Sequence, residues 1–174
     1  ITARLVELAA AGKEVVRLKG GDPAIFGRAT EEIEALQAAG VAIEIIPGVG
    51  AAASLRASLT ERDSAKRVQF VTAHGRDGEL PDDLDWRALA DPKATTVVYM
   101  GVRTMPALVA RLLENGLSGG TPAILVDRAS WPDERVISAT LATIVDTTKE
   151  AEPRGPCLLL LGAALAGPGS RLQV

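Results

Sequence analysis

A single cysteine in 174 residues has no partner for an internal disulfide, and with a single histidine beside it there is no set of thiolates and imidazoles to hold zinc. Aromatic residues make up only 3% of the chain, so its 47% apolar content is mostly Ala, Val, Leu and Ile. That composition suits a β-branched sheet covered by Ala/Leu helices and excludes disorder. There is no basic excess either: a net charge of −3 and a pI near 5.3 leave no electrostatic footprint for nucleic acid. No apolar run approaches the roughly 18 residues that a membrane-spanning helix needs, and the first residues carry no signal-peptide pattern. These features read as a soluble cytoplasmic protein. Neither G-x-G-x-x-G nor G-x-x-x-x-G-K-[ST] occurs, which disfavours a nucleotide-binding oxidoreductase or a P-loop protein. Internal repeats and low-complexity linkers are missing too.

What is present centres on Val15–Arg28. A short β-branched run at Glu14–Leu18 reads as a strand, and Gly20-Gly21-Asp22-Pro23 reads as the tight loop leaving it. Glycines there let a ligand approach the backbone closely, and Asp22 can accept hydrogen bonds from sugar hydroxyls or an ammonium group. A polar glycine-rich loop at the carboxyl end of a parallel strand is where open α/β sheets bind their ligands. Taken alone, the same four residues are equally a plain turn.

Along the chain, Leu5, Leu8 and Ala9 predict a helix over 2–12 that stops at Gly12. Thr30, followed by Glu31 and Glu32, predicts the start of a second helix ending at Gly40. Val41–Ile46 reads as a strand, Gly50–Ser58 as helix-like and Lys66–Ala73 as a strand. A polar loop follows to Asp85, with a short helix at Trp86–Ala90. Thr95–Met100 is an apolar strand, and a helix from Thr104 with Pro106 in its first turn stops at Gly116. Ala123–Val126, Arg135–Thr140 and Cys157–Leu161 read as further strands, with a helix over Leu141–Glu150 between the last two. The fold class is α/β, a parallel and then mixed sheet in two subdomains, residues 1–64 and 65–174.

The run Arg17-Leu18-Lys19-Gly20-Gly21-Asp22-Pro23, then Ile25-Phe26-Gly27-Arg28 and Glu31-Glu32, closely resembles the uroporphyrinogen-III C-methyltransferases. These belong to the tetrapyrrole methylases and use S-adenosylmethionine (SAM). Further pieces follow in the family's order: Pro47-Gly48-Val49, Leu59-Thr60-Glu61-Arg62-Asp63, Phe70-Val71-Thr72-Ala73-His74, Leu84-Asp85-Trp86, Tyr99-Met100-Gly101 and Pro132-Asp133-Glu134-Arg135-Val136-Ile137. The resemblance covers nearly the whole chain.

It implies two α/β subdomains with SAM held between them, and methylation of uroporphyrinogen III at C2 and C7 to precorrin-2 for sirohaem and cobalamin. S-adenosylhomocysteine would be the by-product and a homodimer the assembly. By the family's register, Gly20, Gly21, Asp22, Ile25, Met100 and Ala129 would contact the cofactor. Arg17 and Arg28 would face the carboxylate-rich substrate, where guanidinium groups are the fitting partners. Without that register Met100 is ordinary core filling, the arginines are surface charges and His74 is a structural hydrogen-bonding residue. The catalytic aspartate and the first cofactor loop of the family would lie upstream of Ile1, so no residue here is assigned a catalytic role. Between Val49 and Leu59 the chain is about four residues shorter than the family pattern, roughly one helical turn, so the cofactor positions there are not carried onto Gly50 and Ala51. The alternatives are another precorrin methyltransferase or a non-catalytic tetrapyrrole- or nucleotide-binding module. A fusion to a sirohaem-synthase module with dehydrogenase and ferrochelatase activity is a further possibility.

Overall fold

A computed structural model describes residues 1–55, 57–75 and 77–166. The chain divides into two compact units, Ile1–Gly50 and Ala51–Val174.

In the first unit, helices α1 (Thr2–Ala10) and α2 (Ala29–Ala38) pack on each other, with Leu5 buried. Both helices run out into a left-handed glycine, Gly12 at φ +74° and Gly40 at φ +69°, a conformation that carries no Cβ penalty in glycine. Helix α2 begins at Ala29, one residue before Thr30. Left-handed Arg28 (φ 52°) turns the chain into it, and no side chain caps it. Glu31 and Glu32 lie in its first turn, where the helix dipole favours negative charge.

Glu14–Leu18 and Val41–Ile46, expected as strands, have no ladder partner among the described residues. Propensity readies a segment for pairing, but a strand exists only where a neighbour lies about 4.8 Å away and supplies the bonds. No ladder forms on these two segments among the described residues, and Val16 remains 82% exposed. These segments and the two helices line a cleft of about 680 Å³, with Leu5, Val16, Leu18, Ile33, Leu36 and Ile45 on its walls.

The second unit opens with a single 3-10 turn, Ala51–Ser54, where a longer helix was expected. It then builds a five-stranded sheet from β1 (Arg67–Thr72), β2 (Ala94–Tyr99), β3 (Pro122–Asp127), β4 (Arg135–Thr140) and β5 (Cys157–Leu161). The order is β1-β2-β5-β3-β4. β1 and β2 are parallel and every other pair is antiparallel, so the sheet is mixed. Because β2 and β3 both run opposite to β5, they run the same way. The carboxyl ends of β1, β2 and β3 thus share one edge with the amino ends of β4 and β5.

Apolar residues cover both faces of this sheet, so β5 reads as an unbroken Leu run rather than an alternation. Val98, Leu125, Leu159 and Leu161 face α3 (Trp86–Leu89), α4 (Met105–Glu114) and α5 (Ile144–Ala151), packing with Met105, Leu108, Leu112 and Ile144. On the other face Val97, Ile124, Val126, Leu158 and Leu160 meet Leu55 and Leu165. Asp85 caps α3 by accepting from Ala88 N–H at 3.0 Å. Helix α5 starts at Ile144 rather than Leu141, because Thr143 Oγ1 first accepts from Thr140 N–H at 3.1 Å in a preceding turn. No helix among the described residues is long and apolar enough to cross a membrane.

Candidate functional site

The glycine loop of the first unit is tied down by its own aspartate. Asp22 Oδ1 accepts from Ala24 N–H at 2.8 Å, and Oδ2 accepts from Gly48 N–H at 3.3 Å. Asp22 therefore bridges the Gly20–Pro23 loop and the Pro47-Gly48 loop, a structural task the sequence did not reveal. The two backbones come so close that a Cβ at Gly48 would lie 2.2 Å from Gly21 O. A Cβ at Gly27 would lie 2.4 Å from Pro23 O. Gly20 differs, since nothing lies within 4 Å of its missing Cβ, and that is the open ground a ligand needs. Ile25, half-buried, follows in the turn closed by its N–H to Asp22 O at 3.3 Å.

Arg17 and Arg28 both meet glutamates of α2. Arg17 Nε donates to Glu32 Oε1 at 3.1 Å, and Lys19 Nζ reaches Glu32 Oε2 at 2.8 Å while also donating to Gly27 O. Chiefly through Lys19, and further through Arg17, the Glu32 carboxyl is held below the usual carboxylate range, against a smaller opposing effect of burial. Arg28 directs Nε and Nη2 onto Glu31, with a shortest contact of 2.8 Å in an exposed pair. Such a pair is worth at most about 1 kcal/mol, so Arg28 can exchange this partner for another carboxylate at little cost.

In the second unit the remaining residues that the sequence assigns to a site, Met100 and Ala129, fall on the shared strand edge. Met100 leaves β2 with φ +55° and is 49% exposed, which corrects the core-filling reading of this residue. Ala129, half-buried, sits just beyond β3 between two left-handed residues, Arg128 (φ 58°) and Ser130 (φ 66°). Each left-handed non-glycine residue costs about 1–2 kcal/mol. Among the described residues the non-glycine residues with positive φ are Phe26, Arg28, Met100, Arg128, Ser130 and Glu152. All but Glu152 lie at or beside positions that the sequence assigned to the site. Strained backbone persists where surrounding structure over-determines it, typically at ligand sites.

The loop 128–134 is also ordered by side chains. The Arg128 guanidinium lies 4.4 Å from the Trp131 ring centroid, and its Nη1 pairs with Asp133 at 2.6 Å. Ser130 N–H donates to Glu134 Oε2 at 2.5 Å. At the base of the loop Asp127 is buried, and its Oδ2 accepts from Arg135 Nη2 at 2.6 Å and from Arg154 N–H at 3.1 Å. Its Oδ1 accepts from Gly155 N–H at 3.1 Å. Burial opposes ionisation of Asp127, but the Arg135 guanidinium and the two N–H groups outweigh it and hold the carboxyl below its usual range. Burial, then the neighbouring Asp127 carboxylate, push the Cys157 thiol up to about 11.

His74 follows β1 with an exposed side chain, and its N–H donates to Thr72 Oγ1 at 3.3 Å. The structural bond expected for its imidazole is not seen among the described residues. Arg103 pairs with Glu79 at 2.6 Å. Sequence reasoning missed Asp127, Arg128, Trp131 and Gly155. The one available signal was an aspartate ending the apolar run Ala123–Val126, a position where burial demands a partner.

The family model of the tetrapyrrole (corrin/porphyrin) methylases matches residues 1–145. The chain belongs to that family. This tetrapyrrole methylase is 46% identical over 167 residues to a siroheme synthase of Gluconobacter oxydans, covering 93% of this chain and 35% of that protein. It thus spans about a third of the length of the curated relatives it matches. Among solved structures, a cobalt precorrin-4 methyltransferase superposes with a TM-score of 0.84 at 32% identity, covering 94% of this chain and 70% of the other. The uroporphyrin-III C-methyltransferase of Thermus thermophilus, solved with S-adenosyl homocysteine, superposes with a TM-score of 0.83 at 36% identity, covering 95% and 73%. In those comparisons the methylase fold is the common element.

Proposed function

We propose that the chain is the greater part of a SAM-dependent C-methyltransferase that acts on uroporphyrinogen III, at C2 and C7, to make precorrin-2 for sirohaem or cobalamin. The observation that carries this reading is the coincidence of left-handed, non-glycine backbone with Met100 and the neighbours of Ala129, the positions the family's register gives to the cofactor. SAM supplies an electrophilic methyl group on sulfur, and the protein's part is to hold it in line with the carbon that receives it. The residues fit that task. Gly20 offers open backbone, Ile25 and Met100 offer apolar contact, and Ala129 is small enough for close approach. Gly21 and Asp22 shape the loop that carries Gly20. Arg17 and Arg28 would receive the substrate's carboxylates. Residues 1–64 contribute the Gly-Gly-Asp-Pro loop and 65–174 the positions on the strand edge. Assembly as a homodimer and residence in the cytoplasm complete the proposal.

Calorimetric titration tests it. S-adenosylhomocysteine should bind, while ATP and NAD should not; equal binding of all three, or of none, would overturn the reading. A second reading, a later precorrin methyltransferase, draws on the likeness to the cobalt precorrin-4 enzyme. A panel of tetrapyrroles offered as ligands would separate the two.

A further inference from the structure

Loop 128–134 begins and ends on one ion pair, whose carboxylate is buried and whose guanidinium is partly exposed. Asp127 is the residue before it and Arg135 the residue after it, and the two are also ladder partners across β3 and β4. The Arg135 fork closes further contacts, with Nη1 to Ala151 O at 2.9 Å and Nη2 to Glu152 O at 3.1 Å. Asp127 in turn fixes the N–H groups of Arg154 and Gly155, so the pair anchors the segment entering β5 as well as both ends of the loop. That segment acts back on the loop. The place where a Gly155 Cβ would stand is 2.4 Å from Arg128 Cγ, so the Arg128 stem lies in the space glycine leaves open. From there Arg128 reaches Trp131 and Asp133 and is held left-handed at the residue preceding Ala129.

We propose that the Asp127–Arg135 pair and Gly155 are positioning elements for the cofactor loop, holding Ala129 in a binding conformation before the cofactor arrives. This rests on the reading of Ala129 as a cofactor contact. A loop pre-ordered in this way loses little freedom on binding, so its supports act on affinity and not only on stability. None of the three touches the cofactor in this scheme.

Asp127→Asn is the informative change at the pair. The Asp127 side chain is 1% exposed and Arg135 is 40% exposed, so the remaining guanidinium can be hydrated. Removing Arg135 instead would strand a buried charge. Gly155→Ala is the second variant, and it leaves the ion pair in place while pushing Arg128 off its seat. Leu112→Ala, on the buried face of α4, serves as a variant that lowers stability without touching the loop. The readouts are S-adenosylhomocysteine affinity of the folded protein and the emission of Trp131, with Trp86 replaced by Phe to isolate it.

Asp127→Asn and Gly155→Ala should each weaken S-adenosylhomocysteine binding at least tenfold and shift Trp131 emission, while Leu112→Ala binds as the parent does. Should Asp127→Asn not fold, Gly155→Ala alone decides. Parent-like affinity in the variants that fold would overturn the positioning role and leave the cofactor reading standing. If the parent chain does not bind S-adenosylhomocysteine, the cofactor reading itself fails, and the positioning role with it.

Discussion

At the scale of single residues, the site loops depend on places where no side chain fits. Gly48→Ala would drive a methyl group into Gly21 O, a backbone atom that cannot swing aside, so the Asp22–Gly48 bridge must open. S-adenosylhomocysteine affinity should fall by more than tenfold, whereas Gly20→Ala, with open space around it, should leave the urea midpoint unchanged. Cys157 makes a prediction of a different kind. With its thiol pushed up to about 11, only about one molecule in a thousand is a thiolate at pH 8, and the thiolate is the reactive form. Alkylation by iodoacetamide should therefore be slow in the folded protein and accelerate on addition of urea. Equal rates in both states would show that the burial beside Asp127 is wrong.

Asp127 also sets a pH dependence. A carboxyl whose native pKa lies below its unfolded value contributes stability that is fully present above the unfolded pKa. The contribution is lost as the pH falls through the depressed native value. Urea midpoints measured from pH 7 down to pH 3 should decline in the parent, and less steeply in Asp127→Asn.

At the scale of elements, α4 is the clearest case of pattern becoming packing. Met105, Leu108, Val109 and Leu112 recur at helical spacing and all are buried against the sheet. Leu112→Ala removes a side chain with no exposed surface and should cost about 2–5 kcal/mol, read from urea denaturation. Thr104, just before α4, uses its Oγ1 not to cap the helix but to donate to Ala73 O at 2.6 Å, fastening the end of β1 to the helix start. The same scale shows where the pattern misled. Glu14–Leu18 and Val41–Ile46 have strand composition but no ladder partner among the described residues. Gly50–Ser58 has helix composition, but among its described residues only the 3-10 turn Ala51–Ser54 forms, since a short Ala-rich segment does not hold a helix without packing along its length.

At the scale of the whole molecule, burial is uneven between the two units. The second carries nearly all of the buried apolar residues, while Leu5 is the buried apolar residue of the first. Local opening follows buried apolar contact, so amide hydrogen exchange should be fast throughout residues 1–50 and slow in β2, β3 and β5. Comparable protection in both units would contradict this.

The sequence by itself determined the family, through ordered motifs from Arg17 to Ile137, and the helices and strands from β1 to β5, whose apolar patterns are regular. It also placed the tight turns at Gly20–Pro23 and Pro47-Gly48, because glycine, proline and aspartate carry their backbone preferences with them. Only the tertiary structure decided that Asp22 spends its carboxylate on two backbone N–H groups, that Met100 is half exposed, and that Asp127 and Arg135 meet across a ladder. Those outcomes depend on which segments become neighbours. A side chain's partners are set by contacts distant in sequence, whereas its local preference is set by its own covalent structure.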